Sequence, residues 1–344
     1  MVACRPLVWA RAGRPYPSAA LGRGANTRQP IRNYVMNPSK PPDGGRPEIL
    51  SPAGGQDCFL AALAAGADAI YCGLKRYSAR MAAQNFTLEE LAPLTALAHD
   101  RGARVYVTLN TLLRPGEMDD TGRIIDCLAR QVKPDGLIIQ DLAVVELAHQ
   151  ANFKGEIHLS TLANISFPQA LALVRAQYRV DRVVIPRELS IDEIRLMADA
   201  CPEGLALEVF IHGALCYAVS GRCYWSSFMG GRSGLRGRCV QPCRRRYRHG
   251  QREERFFSCQ DLSLDVLVKV LKTVDRIAAW KIEGRKKGPH YVYYTTTAYR
   301  LLRDQGHDPQ VKRDALSLLE RALGRPGTHY HFLPQRPQRP MAEG

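Results

Sequence analysis

From Pro47 onward, short apolar runs rich in β-branched residues alternate with longer stretches whose apolar positions recur at helical spacing. The short runs predict eight strands: Glu48–Ser51, Ala69–Gly73, Arg104–Asn110, Gly136–Gln140, Glu156–Ser160, Arg182–Pro186, Ala206–Ile211 and Ala279–Glu283. The periodic stretches predict helices at Gln56–Ala65, Leu88–Asp100, Asp120–Gln131, Leu142–Gln150, Pro168–Gln177, Ile191–Ala200 and Leu264–Val274, with an eighth near Tyr291–Arg303. Thr87 with Glu90, and Ser190 with Glu193, read as S/T-x-x-E capping boxes, in which hydroxyl and carboxylate satisfy N–H groups that have no partner inside the helix. Strands apolar on both faces suit a parallel sheet covered by helices. Eight such units over about 260 residues predict a TIM-type (β/α)8 barrel, with a doubly wound α/β sheet as the alternative. The first turn, Ser51 to Gly55, lacks the G-x-G-x-x-G of a dinucleotide fold, and no acid closes the second strand.

The pattern divides the chain into three parts. Residues 1–46 show no strand or helix period and hold eight basic side chains against one acid, which predicts a disordered basic extension. It superficially resembles a transit peptide, and Met36 is an alternative start to Met1. Residues 47–304 form the barrel domain. Between strands seven and eight it carries a Cys/Arg-rich insertion at 212–260, which a barrel places over the C-terminal mouth where active sites are built. Residues 305–344 are read as a C-terminal helix and a Pro-rich tail.

Composition narrows the classes. Of 344 residues, 45% are hydrophobic and 24% charged, as in a globular protein, and no apolar run approaches a membrane span. The net charge of +15 favours polyanionic partners. Ten cysteines without a secretory signal point to a reducing compartment, the cytoplasm.

Four of those cysteines, Cys216, Cys223, Cys239 and Cys243, follow a C-x6-C-x15-C-x3-C spacing among small, turn-forming residues. Four soft thiolates suit an iron–sulfur cluster or a structural zinc, and the wide gaps favour a loop around a larger inorganic core over a zinc knuckle. Between Arg222 and Arg255 lie ten arginines and two glutamates, a local balance of +8. Tyr217, Tyr224, Trp225, Phe228 and Tyr247 are interleaved with them. Guanidinium groups neutralise phosphate and flat rings stack on unpaired bases, so RNA contact is expected; the same charge could instead offset a negative cluster.

Polar residues gather at the predicted strand ends: Asn110 and Thr111, Gln140 and Asp141, Ser160 and Thr161, Arg187 and Glu188, and Arg285. Charges there are costly unless paired or functional. Glu208, His212, Lys281 and Glu283 are the candidates for substrate contact or proton transfer.

The segment LEVFIHGALCYAVSGRCYWSS resembles the signature of the collagenase-like peptidase family, family U32. EILSPAGG, GADAIYCGLKRYSAR, NFTLEEL, VYVTLN, VVIPRELS and WKIEGRKKGPHYV extend the resemblance from about Pro47 to about Arg303. The resemblance implies a 4Fe-4S cluster on Cys216, Cys223, Cys239 and Cys243, with Cys259 as reserve for the fourth ligand. It also implies oxygen-independent hydroxylation of a pyrimidine in tRNA or rRNA, with prephenate as a small hydroxyl donor. Accessory action in ubiquinone hydroxylation with a protein partner is a further implication. The family name implies proteolysis, yet the chain has no G-x-S-x-G elbow, no H-E-x-x-H helix and no papain-like Cys–His context.

Overall fold

The computed structural model describes residues 45–322, 324–329 and 332. The basic extension through residue 44, both possible starts, and most of the Pro-rich tail lie outside the described residues. Strands β1 (Glu48–Ala53), β2 (Ala69–Gly73), β3 (Arg104–Leu109), β4 (Gly136–Ile139), β5 (Glu156–Leu159), β6 (Arg182–Val184) and β7 (Ala206–Ala214) pair in sequence order, all parallel. The antiparallel hairpin of β8 (Tyr247–His249) and β9 (Arg252–Glu254) and the strand β10 (Asp261–Ser263) interrupt this order, and then β11 (Ile277–Ile282) pairs in parallel with both β7 and β1. The barrel therefore closes with eight parallel strands, as the hydrophobic pattern predicts. Closure leaves no exposed edge among these strands.

Helices α1 (Gln56–Ala64), α2 (Leu88–Asp100), α3 (Met118–Cys127), α4 (Ala143–Gln150), α5 (Pro168–Tyr178) and α6 (Ile191–Asp199) cover the barrel. The short α7 (Trp225–Gly230) lies in the insertion and α8 (Val268–Leu271) follows β10. Then come α9 (Pro289–Gln305) and the C-terminal α10 (Pro309–Arg321). Both predicted capping boxes form, at Thr87–Glu90 and Ser190–Glu193. The helix expected over Leu264–Val274 is shorter. Leu262 and Leu264, two apart, serve β10 and the turn after it, leaving a 3-10 turn at Asp265–Leu267 and an α-helix at Val268–Leu271; β10 runs antiparallel to β7, Ser263 opposite His212.

Side chains alternate across each strand. Outward-facing Ile49, Ile70, Val105, Leu137 and Val183 pack with the helices in the main core. Inside the barrel, Leu50, Ala69, Tyr71, Tyr106 and Ile138 form a separate apolar layer. Below it, at the strands' N-terminal ends, Glu48, Glu156, Arg182 and Glu208 make a buried charged layer. Above it the lining turns polar again, and the mouth begins.

Candidate functional site

Two cavities meet at the C-terminal mouth. The inner one, about 500 Å³ including its opening, is lined by Tyr71, Thr108, Ser160, Phe210, Lys281 and Arg285 among others. The outer one, about 930 Å³ on the same measure, is lined by Cys216, Cys239, Cys243, Arg244, Lys286 and Lys287 among others. Arg80, Arg187 and Glu283 belong to both and form the wall between them.

Lys281 and Glu283 reach the inner cavity because they alternate inward at the end of β11. Lys281 Nζ donates to Glu208 Oε1 at 2.6 Å and lies 4.3 Å from the centre of the Tyr71 ring. Glu208, fully buried, also takes Arg182 Nη1 at 3.4 Å. Burial alone would raise its pKa, but Lys281 and Arg182 outweigh that and hold it below the ordinary carboxylate value. Glu208 thus anchors Lys281 from beneath and does not line the cavity. Glu283 accepts from Arg80 Nη2 at 3.0 Å. Here too burial is outweighed, by Arg80, Arg187 and Arg285, and the carboxyl stays below its usual range.

His212 sits apart from this group. Its Nδ1 is 3.2 Å from the Tyr299 hydroxyl and 3.3 Å from Ser263 Oγ, between β10 and α9 on the outside of the barrel. The cause is an irregularity in the β7–β11 pairing: Phe210 is opposite Lys281, but His212, two residues on, is opposite Ile282. The extra residue turns His212 away from the face that Glu208 and Phe210 share. Burial depresses its pKa to about 4.

The remaining strand-end residues divide in the same way. Asp141 accepts from the N–H groups of Leu113 and Ala143, and Glu188 accepts from the N–H and hydroxyl of Ser220, so both fix loops. Asn110 and Ser160 line the inner cavity. Arg80, which the strand pattern does not single out, arrives on the long loop between β2 and α2.

The insertion lies tightly over the mouth. Gly237, at φ +73°, sits where a Cβ would come within 2.1 Å of the Ser78 carbonyl oxygen, so only glycine allows this approach. Arg244 donates to the Leu215 carbonyl at 2.7 Å, to Ser258 Oγ at 2.9 Å and to the Cys259 carbonyl, binding both ends of the insertion together. Arg236 forms an ion pair with Glu117 at 2.5 Å. These two arginines are structural, whereas Arg222, Arg232, Arg238, Arg245 and Arg252 stand exposed. Trp225 and Phe257 pack 5.1 Å apart, with Tyr217 and Tyr247 against Phe257, and beside this cluster Phe228 is 91% exposed and Tyr224 62%.

Cys216, Cys239 and Cys243 open on the outer cavity, while Cys223 does not line it. Cys259 is buried close enough to Cys216 and Cys243 for the thiols to affect one another's ionisation. Burial first, then Cys216, pushes the Cys243 thiol up to about 11. Cys239 Sγ accepts from the Gln241 N–H at 3.4 Å. Among the described residues no three Cys, His, Asp or Glu side chains converge as a metal site. In chemistry the donor set suits an iron–sulfur group: soft thiols on one cavity, an N–H aimed at one sulfur, and cations around a net negative charge. Binding would have to draw the thiols together. Cys58, Cys72 and Cys201 are buried elsewhere, as small apolar residues.

A model of peptidase family U32 matches residues 54–342. The chain is 33% identical to a collagenase of Porphyromonas gingivalis, over 74% of this chain and 64% of that protein. It is 33% identical to tRNA hydroxylation protein P1 of Bacillus subtilis, over 81% of this chain and 69% of the relative. With a 23S rRNA 5-hydroxycytidine synthase of Escherichia coli it shares 37% identity over 75% of this chain, which spans 39% of that enzyme. Among the described residues no helix is long and apolar enough to cross a membrane.

Proposed function

Because the chain belongs to peptidase family U32, we propose that it is an iron–sulfur protein supporting oxygen-independent hydroxylation of a pyrimidine in tRNA or rRNA. One observation carries this reading: three thiols open on a cavity that continues into a polar barrel mouth, beneath a rim of exposed arginines and aromatic rings. Cys216, Cys239 and Cys243 would hold a 4Fe-4S cluster, with Cys223 or Cys259 completing the set. Such a cluster supplies electron transfer or shapes the loop around it. The chain's own residues do the rest. The exposed arginines neutralise phosphate, Tyr224 and Phe228 offer stacking faces to an unpaired base, and the inner cavity takes a small hydroxyl donor such as prephenate.

Two measurements test this. Protein purified without air should carry iron and sulfide, and Cys216→Ala or Cys243→Ala should deplete both while Cys201→Ala does not. Cys223→Ala and Cys259→Ala, made separately, identify the fourth ligand. Stoichiometric zinc without labile sulfide would overturn the cluster. Comparing nucleosides from cells with and without the gene by mass spectrometry should reveal one species that differs by an oxygen atom. No such species, together with a changed quinone profile, would move the activity to quinone hydroxylation. A peptidase reading, which the collagenase relative invites, needs a nucleophile with a base. Among the described residues no histidine lines either cavity, so these residues offer no thiol–imidazole pair at the mouth.

A further inference from the structure

Cys259 is 5% exposed and lies two residues before β10, so whatever fixes β10 also fixes this thiol. On one side β10 pairs with β7, and Arg244 ties the Cys259 carbonyl to that of Leu215. On the other side runs a short strand from the segment after α10, β12 (Gly327–Thr328), parallel to β10. Asp261, 3% exposed, joins the two. Its N–H donates to the Pro326 carbonyl at 3.0 Å. Its carboxylate accepts from the Arg325 N–H at 3.3 Å, pairs with the Arg325 guanidinium, and has Lys287 Nζ at 3.9 Å. Further along, His329 Nδ1 lies 2.8 Å from the Ser263 carbonyl oxygen, and the Phe332 carbonyl accepts from the Ile191 N–H at 2.8 Å, where α6 begins.

These attachments are few for a segment that covers a sheet. Its strand has two residues, and Pro326 and Gly327 are exposed. Phe332 is 5% exposed, yet with His329, Ile185, Leu189 and Ile194 it borders a cavity of about 310 Å³ counted with its opening. Exposed backbone and a loosely seated anchor open at lower cost than the strands beneath. Arg325 lines the outer cavity together with Cys216, Cys239 and Cys243, so such an opening is felt at the thiols.

We propose that Arg325–His329, with Phe332 as its anchor, is a strap that sets the mobility of Cys259. Latched, it keeps this thiol sealed behind the outer cavity; released, it lets the chain before β10 swing and bring Cys259 onto the face that Cys216, Cys239 and Cys243 line. The inference rests on the proposed function only for the use of that thiol, as a ligand recruited when a cluster draws the set together.

The test is labelling of the full chain with N-ethylmaleimide after chelation of bound metal, followed thiol by thiol by peptide mass spectrometry. Cys72, fully buried in β2, reports opening of the barrel itself. Asp261→Asn keeps the shape of the side chain and removes its charge; Phe332→Ala removes the anchor at the other end. Each should speed the labelling of Cys259 by at least about tenfold over the parent, with Cys72 unchanged. Unchanged Cys259 rates, or Cys259 and Cys72 rates that rise together, overturn the strap. The variants act at opposite ends, so either one that folds decides the matter. Faster labelling of Cys259 in a protein that binds no iron or sulfide would keep the strap and remove the cluster. Iron and sulfide on a protein whose Cys259 rate never changes would remove the strap alone.

Discussion

At the N-terminal end of the barrel Arg182 meets Glu48, Glu156 and Glu208, whereas at the mouth Arg285 meets only Thr108, Ser78 and Asn85. Both are arginines with about the same small exposure, buried inside the same barrel. The lower layer is nearly closed upon itself: Arg104 pairs with Glu48 and Glu156, and His158 Nε2 lies 2.6 Å from Glu156 Oε2. The upper layer carries surplus positive charge; unpaired nitrogens do not set it apart, since Arg182 Nε and His158 Nδ1 below are buried without partners as well. A charged layer of the first kind is balanced by its own partners; one of the second kind holds more cations than carboxylates. Burial alone does not separate a structural charge from a functional one, but the account of its partners does.

The sharpest way to break this comparison is to remove the lower arginine. Arg182→Met leaves Glu48, Glu156 and Glu208 short of a cation in a largely buried layer, and should destabilise the protein by about 3–5 kcal/mol in urea unfolding. A loss below about 1 kcal/mol would mean that the lower layer tolerates unpaired charge as the mouth does, and the distinction would fall.

Acid separates the two regions next. His212, held at about 4 by burial against the opposing pull of Asp261 and Asp265, has an ordinary value near 6.5 when unfolded. Between those values the unfolded chain binds more protons, so stability rises with pH and falls as the solution is acidified from 6.5 towards 4. The loss reaches at most about 3 kcal/mol, and His212→Gln should flatten unfolding curves across that window. Glu156 of the lower layer responds at lower pH. Burial would raise Glu156, but His158, Arg182 and Arg104 hold it at about 2, so its contribution is whole above the ordinary carboxylate value and fades only as pH falls towards 2. An acid response unchanged in His212→Gln would place the sensitivity elsewhere.

The barrel was largely legible because its signals are local. β-Branched runs mark strands, and the boxes at Thr87 and Ser190 mark helix starts within four residues. The site was legible only where a strand carried it: Lys281 and Glu283 follow from inward alternation on β11. His212 escaped the same logic because the irregular pairing after Phe210 changes its face, a tertiary event with no mark in the alternation. Arg80 escaped because it sits on an unpatterned loop. The arginine count in the insertion could not show that Arg236 belongs to Glu117 and Arg244 to backbone carbonyls, since each partner lies on another part of the chain or across a loop.

The smallest expected effect is the most discriminating. Arg285→Met removes a charge as deeply buried as Arg182, yet it strands no carboxylate, only the oxygens of Thr108, Ser78 and Asn85. The two hydroxyls can turn to other acceptors, and the desolvation cost of the guanidinium disappears with it. Methionine fills much of the vacated volume with a flexible apolar chain. The two contributions nearly cancel, so stability should change by less than about 1 kcal/mol in either direction. If Arg285→Met instead costs as much as Arg182→Met, the mouth arginine is a structural residue, and the surplus charge at the mouth is no sign of a ligand.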